Sequence, residues 1–196
     1  LSRLRLFAAV GIDDAARAAC SAAAARLRAA GFVARWVEPR NYHVTVAFLG
    51  GVEEERVDGV AFALEQVAPR IERFSLLLDA LGAYPNERKA RIAWAGPAGD
   101  VPAFAALCGA VRGALAGLGF CFDRTADPHV TLARADGRRA LPQVAPLEAP
   151  PVAVDALTLY RSFTEPTGAR YVPLATVSLG DPSPGRGRQA HAAKPR

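Results

Sequence analysis

Histidine, cysteine, tryptophan and methionine are all scarce here: three, three, two and none in 196 residues. Cys20, Cys108 and Cys121 are odd in number, show no C-x-x-C spacing and sit in apolar runs. That excludes a disulfide framework and a zinc site, and predicts three buried thiols. No apolar run approaches the ~20 residues that a membrane helix needs. The opening LSRLRLFAAVGIDD turns polar too soon for a secretory signal, so a soluble, cytoplasmic protein with no membrane partner is expected. Methionine is missing even at position 1, which points to initiator removal or trimming ahead of this numbering. Also absent are a P-loop, a serine nucleophile elbow and any carboxylate spacing that suggests a metal site. No metal and no cofactor are expected.

What remains is enough for one folded domain. Half the residues are apolar, and a chain of this length can bury a proper core. The net charge of +5 is unevenly spread: residues 181–196, DPSPGRGRQAHAAKPR, hold four Lys/Arg against one Asp, leaving +2 on the first 180 residues. This basic tail has almost nothing to bury and reads as disordered; its His191 is given no catalytic role. The expectation is a single bilobal domain over 1–180 followed by that tail, and a monomer.

Along the chain, RLRLFAAVGI reads as a strand, and Asp13 or Asp14 caps an alanine-rich helix that Gly31 ends. FVARWVEPRNYHVTVAFLG returns as extended chain, and EEERVDGVAFALEQVA reads as a second helix. RFSLLLDALGAY and ARIAWAG are strands around a PNER turn. A third helix spans roughly 102–118, with Phe104, Leu107, Cys108, Val111, Leu115 and Leu118 on one apolar face. PHVTLARA, VAVDALTLYRSF and ARYVPLATVSLG close the chain as strands.

Two stretches of that order repeat. Residues of about 3–50 and 90–135 each run strand, helix, Gly-Phe exit, then a strand carrying a histidine. Such a duplication suggests two lobes related by a pseudo-twofold axis, which brings equivalent positions face to face.

The repeated strands are NYHVTVAFLG and DPHVTLARAD. Side chains at i and i+2 of a strand share a face, so His43 lies beside Thr45 and His129 beside Thr131, with Val44, Val46, Val130 and Leu132 toward the core. If the polar faces meet across the axis, they line a cleft with two imidazoles and two hydroxyls. Imidazole, with an unperturbed pKa near ~6.5, gives or takes a proton at neutral pH. Hydroxyls can donate to an anionic oxygen where charge gathers. One imidazole as base and one as acid, on opposite sides of a phosphate, suit in-line displacement at phosphorus. Asp127 beside His129 is a single acid and makes a poor metal cluster. A lone H-x-T would more often be structural; two copies in matching contexts favour catalysis.

At these residues the sequence resembles the two-histidine (2H) phosphoesterase superfamily, on the motifs HVTV and HVTL. RLFAAVGI, WVEPRNYHVTVAFLG, ARIAWAG, PHVTLAR and LTLYRS resemble stretches of its bacterial and archaeal RNA 2',3'-cyclic phosphodiesterases, also called 2'-5' RNA ligases. The resemblance covers about residues 3–180. It implies an α+β fold of two lobes, each with an antiparallel sheet and helices, and an active site between them. It implies metal-free hydrolysis of a terminal 2',3'-cyclic phosphate to a 2'-phosphate. His43 would be the proton donor to the departing 3' oxygen and His129 the proton acceptor from water, or the reverse, with Thr45 and Thr131 on the phosphate. The substrate would be RNA with a cyclic phosphate end, including tRNA fragments, or a small cyclic nucleotide.

The resemblance also implies that Phe48 and Arg134, each five residues after its histidine, flank the base; both offer stacking surfaces. Strict alternation would turn them to the core face, so a bulge or strand end near Arg134 is expected. Tyr42 is expected at the rim. Where relatives often read Phe-Arg-Pro-His, this chain reads ADPH, one basic residue fewer, with Arg124 as a replacement. Two other readings compete. One is a phosphodiesterase for another cyclic phosphate, such as an ADP-ribose derivative; the other is an RNA- or nucleotide-binding module without catalysis. Ligation, the same chemistry reversed, would use the same site.

Overall fold

The computed structural model describes residues 2–122, 126–165 and 168–181. The predicted tail from 182 on and Arg124 lie outside them. Ten strands and three helices run in the order β1 (Arg3–Gly11), α1 (Asp14–Ala29), β2 (Arg35–Trp36), β3 (His43–Glu53), α2 (Val57–Val67), β4 (Phe74–Leu76), β5 (Ala80–Tyr84), β6 (Ala90–Gly96), α3 (Pro102–Ala116), β7 (Val130–Arg139), β8 (Val152–Val154), β9 (Ala156–Glu165) and β10 (Gly168–Ser178).

The helices begin and end for local reasons. Asp13 caps α1 by accepting from the Ala16 amide at 2.8 Å, and Pro102 opens α3 where its missing N–H costs nothing. Both helices leave through the repeated Gly-Phe: Gly31 and Gly119 take φ of +89° and +84°. The Phe32 amide then bonds Leu27 O at 3.0 Å and the Phe120 amide bonds Leu115 O at 3.2 Å. These matching left-handed exits satisfy carbonyls that a helix end leaves open. Leu118 falls beyond α3 and is 38% exposed, so the predicted apolar face stops at Leu115.

Eight of these strands form one antiparallel sheet in the order β10-β9-β1-β3-β7-β6-β5, with β2 also paired to β7. Two half-sheets thus share a seam. It is a single pairing, Val44 with Val130, each the residue after its histidine. The lobes are not contiguous in sequence: the C-terminal hairpin β9–β10 extends the half built on β1, while β2 crosses to β7. The helices are exchanged as well, α1 packing on β7 and α3 on β3. Their buried faces (Ala16, Cys20, Ala23 and Leu27; Phe104, Leu107, Val111 and Leu115) join the core side of the sheet in one cluster.

Three strand expectations change. RFSLLLDALGAY and VAVDALTLYRSF each break in two, and the fragments β4 and β8 pair with each other in a separate small sheet. An aspartate stands at each break. Asp79 accepts from the Ala98 amide at 2.7 Å through its side chain, and the Asp155 carbonyl accepts from Leu179 at 2.7 Å, both tying the turns to distant chain. PHVTLARA continues to Arg139, because β6 supplies partners as far as Ala90. Of the three cysteines, Cys20 and Cys108 are buried in the helix faces, but Cys121 is exposed; it follows the α3 exit, where the chain no longer faces the core. No described helix is long and apolar enough to cross a membrane.

Candidate active site

Each histidine strand carries a bulge three residues after its histidine. On β3, Ala9 opposes Thr45 and Ala8 opposes Ala47, leaving Val46 extra. On β7, Trp94 opposes Thr131 and Ala93 opposes Ala133, leaving Leu132 extra. Consequently Val46 with Ala47, and Leu132 with Ala133, are consecutive pairs wholly inside the core. The extra residue resets the alternation, so Phe48 and Arg134 return to the face of their histidine. The bulge expected near Arg134 is therefore present, and it has a twin on β3. Phe48 is 50% exposed, not a core residue. A bulge frees a carbonyl, and here each finds a different donor: the Val37 amide to Leu132 O at 2.9 Å, and Arg112 Nε to Val46 O at 3.2 Å.

His43, Thr45, Phe48, His129, Thr131 and Arg134 all line one cleft of about 170 Å³ at the seam. Tyr42 does not. It is 4% exposed and faces the core against α1, where burial pushes its phenol up to about 12 beside Cys20 and Ser21; the predicted rim position is corrected. One step of strand alternation separates it from His43.

The two imidazoles are held alike. His43 Nδ1 lies 2.7 Å from Asn41 O, and His129 Nδ1 lies 2.8 Å from Asp127 O. A carbonyl only accepts, so Nδ1 carries the proton and donates in both rings, and each neutral imidazole keeps Nε2 as its basic nitrogen. At His43 that nitrogen is 3.1 Å from Thr45 Oγ1, whose hydroxyl donates to it while the ring is neutral.

The surroundings differ. His43 packs at 4.8 Å from Phe7 and edge-on at 5.2 Å from Tyr171, whereas His129 meets Tyr84 edge-on at 5.1 Å. Burial lowers the pKa of both. At His43 the Asn41 carbonyl opposes that, while His129 and Arg134 add to it. At His129 the opposition comes from the Asp127 carbonyl and also its carboxylate, with Arg134 again lowering. Among the described residues, no three His, Cys, Asp or Glu side chains converge as metal ligands.

Residues not singled out from sequence complete the cleft: Arg5, Phe7, Asn41, Ser162 and Tyr171. Arg5 and Phe7 alternate on β1, a signal present in RLRLFAAVGI. Arg5 stands over the Phe48 ring at 5.0 Å. Ser162 and Tyr171 are register partners on the C-terminal hairpin, and no local pattern ties that hairpin to β1. Asn41 is buried, and its Nδ2 donates to Ala169 O at 2.7 Å, anchoring β10 to the turn whose carbonyl holds His43.

Residues 10–94, which include His43 and Thr45, match the family model described as LigT like Phosphoesterase. An RNA 2',3'-cyclic phosphodiesterase of Aeropyrum pernix is 32% identical over 149 residues, 72% of this chain and 84% of that protein. This chain belongs to the LigT-like phosphoesterase family. A second LigT-like relative, the RNA 2',3'-cyclic phosphodiesterase of Thermotoga maritima, is 29% identical over 86% of this chain and 91% of its own length. Among solved LigT-like folds, TT0787 of Thermus thermophilus superposes with a TM-score of 0.79 at 29% identity, covering 91% of this chain and 99% of that one. E. coli LigT complexed with 3'-AMP gives 0.74 at 28% identity, covering 92% and 100%.

Proposed function

We propose that this LigT-like phosphoesterase is an RNA 2',3'-cyclic phosphodiesterase that opens a terminal cyclic phosphate to a 2'-phosphate, without a metal, using His43 as proton donor and His129 as proton acceptor. The observation that carries the reading is the matched fixing of both rings through Nδ1, which leaves two Nε2 atoms for one cleft. Nε2 of His129 takes a proton from water as the oxygen attacks phosphorus, and Nε2 of protonated His43 gives one to the 3' oxygen as its bond to phosphorus breaks.

The unequal surroundings favour that division. The Asp127 carboxylate stabilises the imidazolium that forms on a base at position 129. Burial against Phe7 and Tyr171 makes protonated His43 a stronger acid than a free imidazolium, suited to an alkoxide leaving group, and the bound phosphate anion keeps it charged. Thr45, Thr131, Arg5 and Arg134 supply donors and positive charge for the phosphate oxygens. Phe48 and Arg134 flank the terminal base. The same steps with a 5' hydroxyl in place of water are 2'-5' ligation, and their reversal cleaves that linkage back to a cyclic phosphate and a 5' hydroxyl.

The test is turnover, in EDTA, of a short RNA ending in a 2',3'-cyclic phosphate, with the phosphate position of the product identified. A 2'-phosphate, lost in His43→Ala and in His129→Ala, is the expected result. A 3'-phosphate, or an absolute need for added metal, contradicts it.

A further inference from the structure

Next to the cleft is a second cavity of about 200 Å³, and Val37, Asn41, Arg134 and Tyr171 form a wall common to both. Its own sides bring in Arg35, Trp36 and Glu38. The indole of Trp36 is half-buried and braced from behind: the Arg28 guanidinium lies over the ring at 4.9 Å and Phe32 meets it edge-on at 6.3 Å. Glu38 is paired with Arg40 at 2.6 Å, which offsets its charge. Arg35 bonds Asp136 at 2.9 Å with both side chains more than three-quarters exposed. A solvent-screened pair of that kind is weak and yields readily to a phosphate.

The surface beside His129 has the other sign. Past His129 a cavity of about 600 Å³ is lined by Tyr84, Trp94, Asp100 and Asp127, with no Lys or Arg among its described residues. A polyanionic chain is drawn toward Arg134 and Arg35 rather than into that cavity.

The geometry points to the Trp36 cavity as a subsite for the nucleotide that precedes the cyclic-phosphate end, its base against Trp36 and its linking phosphate between Arg134 and Arg35. The substrate is therefore an oligonucleotide rather than an isolated cyclic nucleotide. This assignment rests on the phosphodiesterase reading above. An aromatic ring suits a base of any sequence, because every base has a π face, and a phosphate contact adds salt dependence without sequence preference.

The test compares kcat/KM for a nucleoside 2',3'-cyclic monophosphate with that for a dinucleotide ending in the same group. Wild type favours the dinucleotide by about tenfold or more, in line with one base stacked on an aromatic side chain. Trp36→Ala abolishes the preference while mononucleotide turnover holds, Trp36→Phe restores most of it, and Arg35→Gln reduces both the preference and its salt dependence. Equal kcat/KM for the two substrates in wild type overturns the subsite, as does an equal loss on both in Trp36→Ala. Should Trp36→Ala fail to fold, the exposed Arg35 decides: an unchanged preference in Arg35→Gln overturns the assignment. Turnover of neither substrate by wild type would sink the phosphodiesterase reading itself, a different failure from loss of the preference alone.

Discussion

The two halves of the cleft agree in backbone and disagree in environment. Each histidine is held by the carbonyl two residues before it and followed two residues later by a threonine. Each then has a bulge at the third residue and a cleft-facing side chain at the fifth. Yet the His43 half encloses its ring in Phe7 and Tyr171, and supports its bulge with a guanidinium from α3. The His129 half has one edge-on tyrosine, a nearby carboxylate and a plain amide on its bulge. The common part places two imidazoles in one cleft. In the proposed mechanism the differing part separates acid from base, because two identical environments would leave both rings equally prepared for both tasks.

The largest effect comes from removing either ring. His43→Ala and His129→Ala should each lower kcat by about a thousandfold or more, and the double variant should be scarcely worse than either single one, since the two act as a unit. Single-turnover kinetics with a cyclic-phosphate RNA checks this; additive losses would break the pairing of the halves.

A smaller effect separates the bulges. Arg112→Leu deprives Val46 O of a charged donor inside the core, at a cost of about 1–3 kcal/mol in stability. Phe48 then shifts, so KM should rise with mutation of a residue that touches no substrate. Urea denaturation and kinetics measured together report both, and an effect on stability alone would remove the bulge from the account of the site.

The pH profile sharpens the contrast further. The proposed mechanism requires His129 without its proton and His43 with one, so kcat/KM should fall as pH drops through the lower macroscopic pKa and as it rises through the upper. Burial holds both rings below the ordinary ~6.5, which puts the maximum on the acid side of that value. Asp127→Asn removes a charge that raises His129, so one limb of the profile should move to lower pH while the other stays. A profile that the substitution leaves unmoved would remove the Asp127 carboxylate from the account of His129.

The smallest effect is expected at Tyr42. Tyr42→Phe removes a core hydroxyl near Ser21 and should change stability by about 1 kcal/mol while leaving kcat and KM untouched. Any loss of turnover would return that residue to the cleft.

The histidine–threonine pairs were legible in the sequence because alternation on a strand is local and the motif occurs twice. The Gly-Phe exits were legible for a similar reason, since a left-handed helix end writes itself in two residues. Phe48 could not be placed by alternation alone: the twin bulge depends on β1, some forty residues away, and only the cost of burying Arg134 hinted at its counterpart. Tyr171 and Ser162 reach the cleft through a hairpin that joins the N-terminal half-sheet from the far end of the chain, a long-range pairing that no short window contains. The breaks at Asp79 and Asp155 were hidden by apolar runs that continue through them.

The division of labour between the rings can be tested with a 2',3'-cyclic phosphate substrate in which sulfur replaces the 3' oxygen. A thiolate leaves without needing a proton, whereas the attacking water still needs a base. His43→Ala should recover most of the wild-type rate on that substrate and His129→Ala should recover none; rescue of His129→Ala with no rescue of His43→Ala would contradict the account.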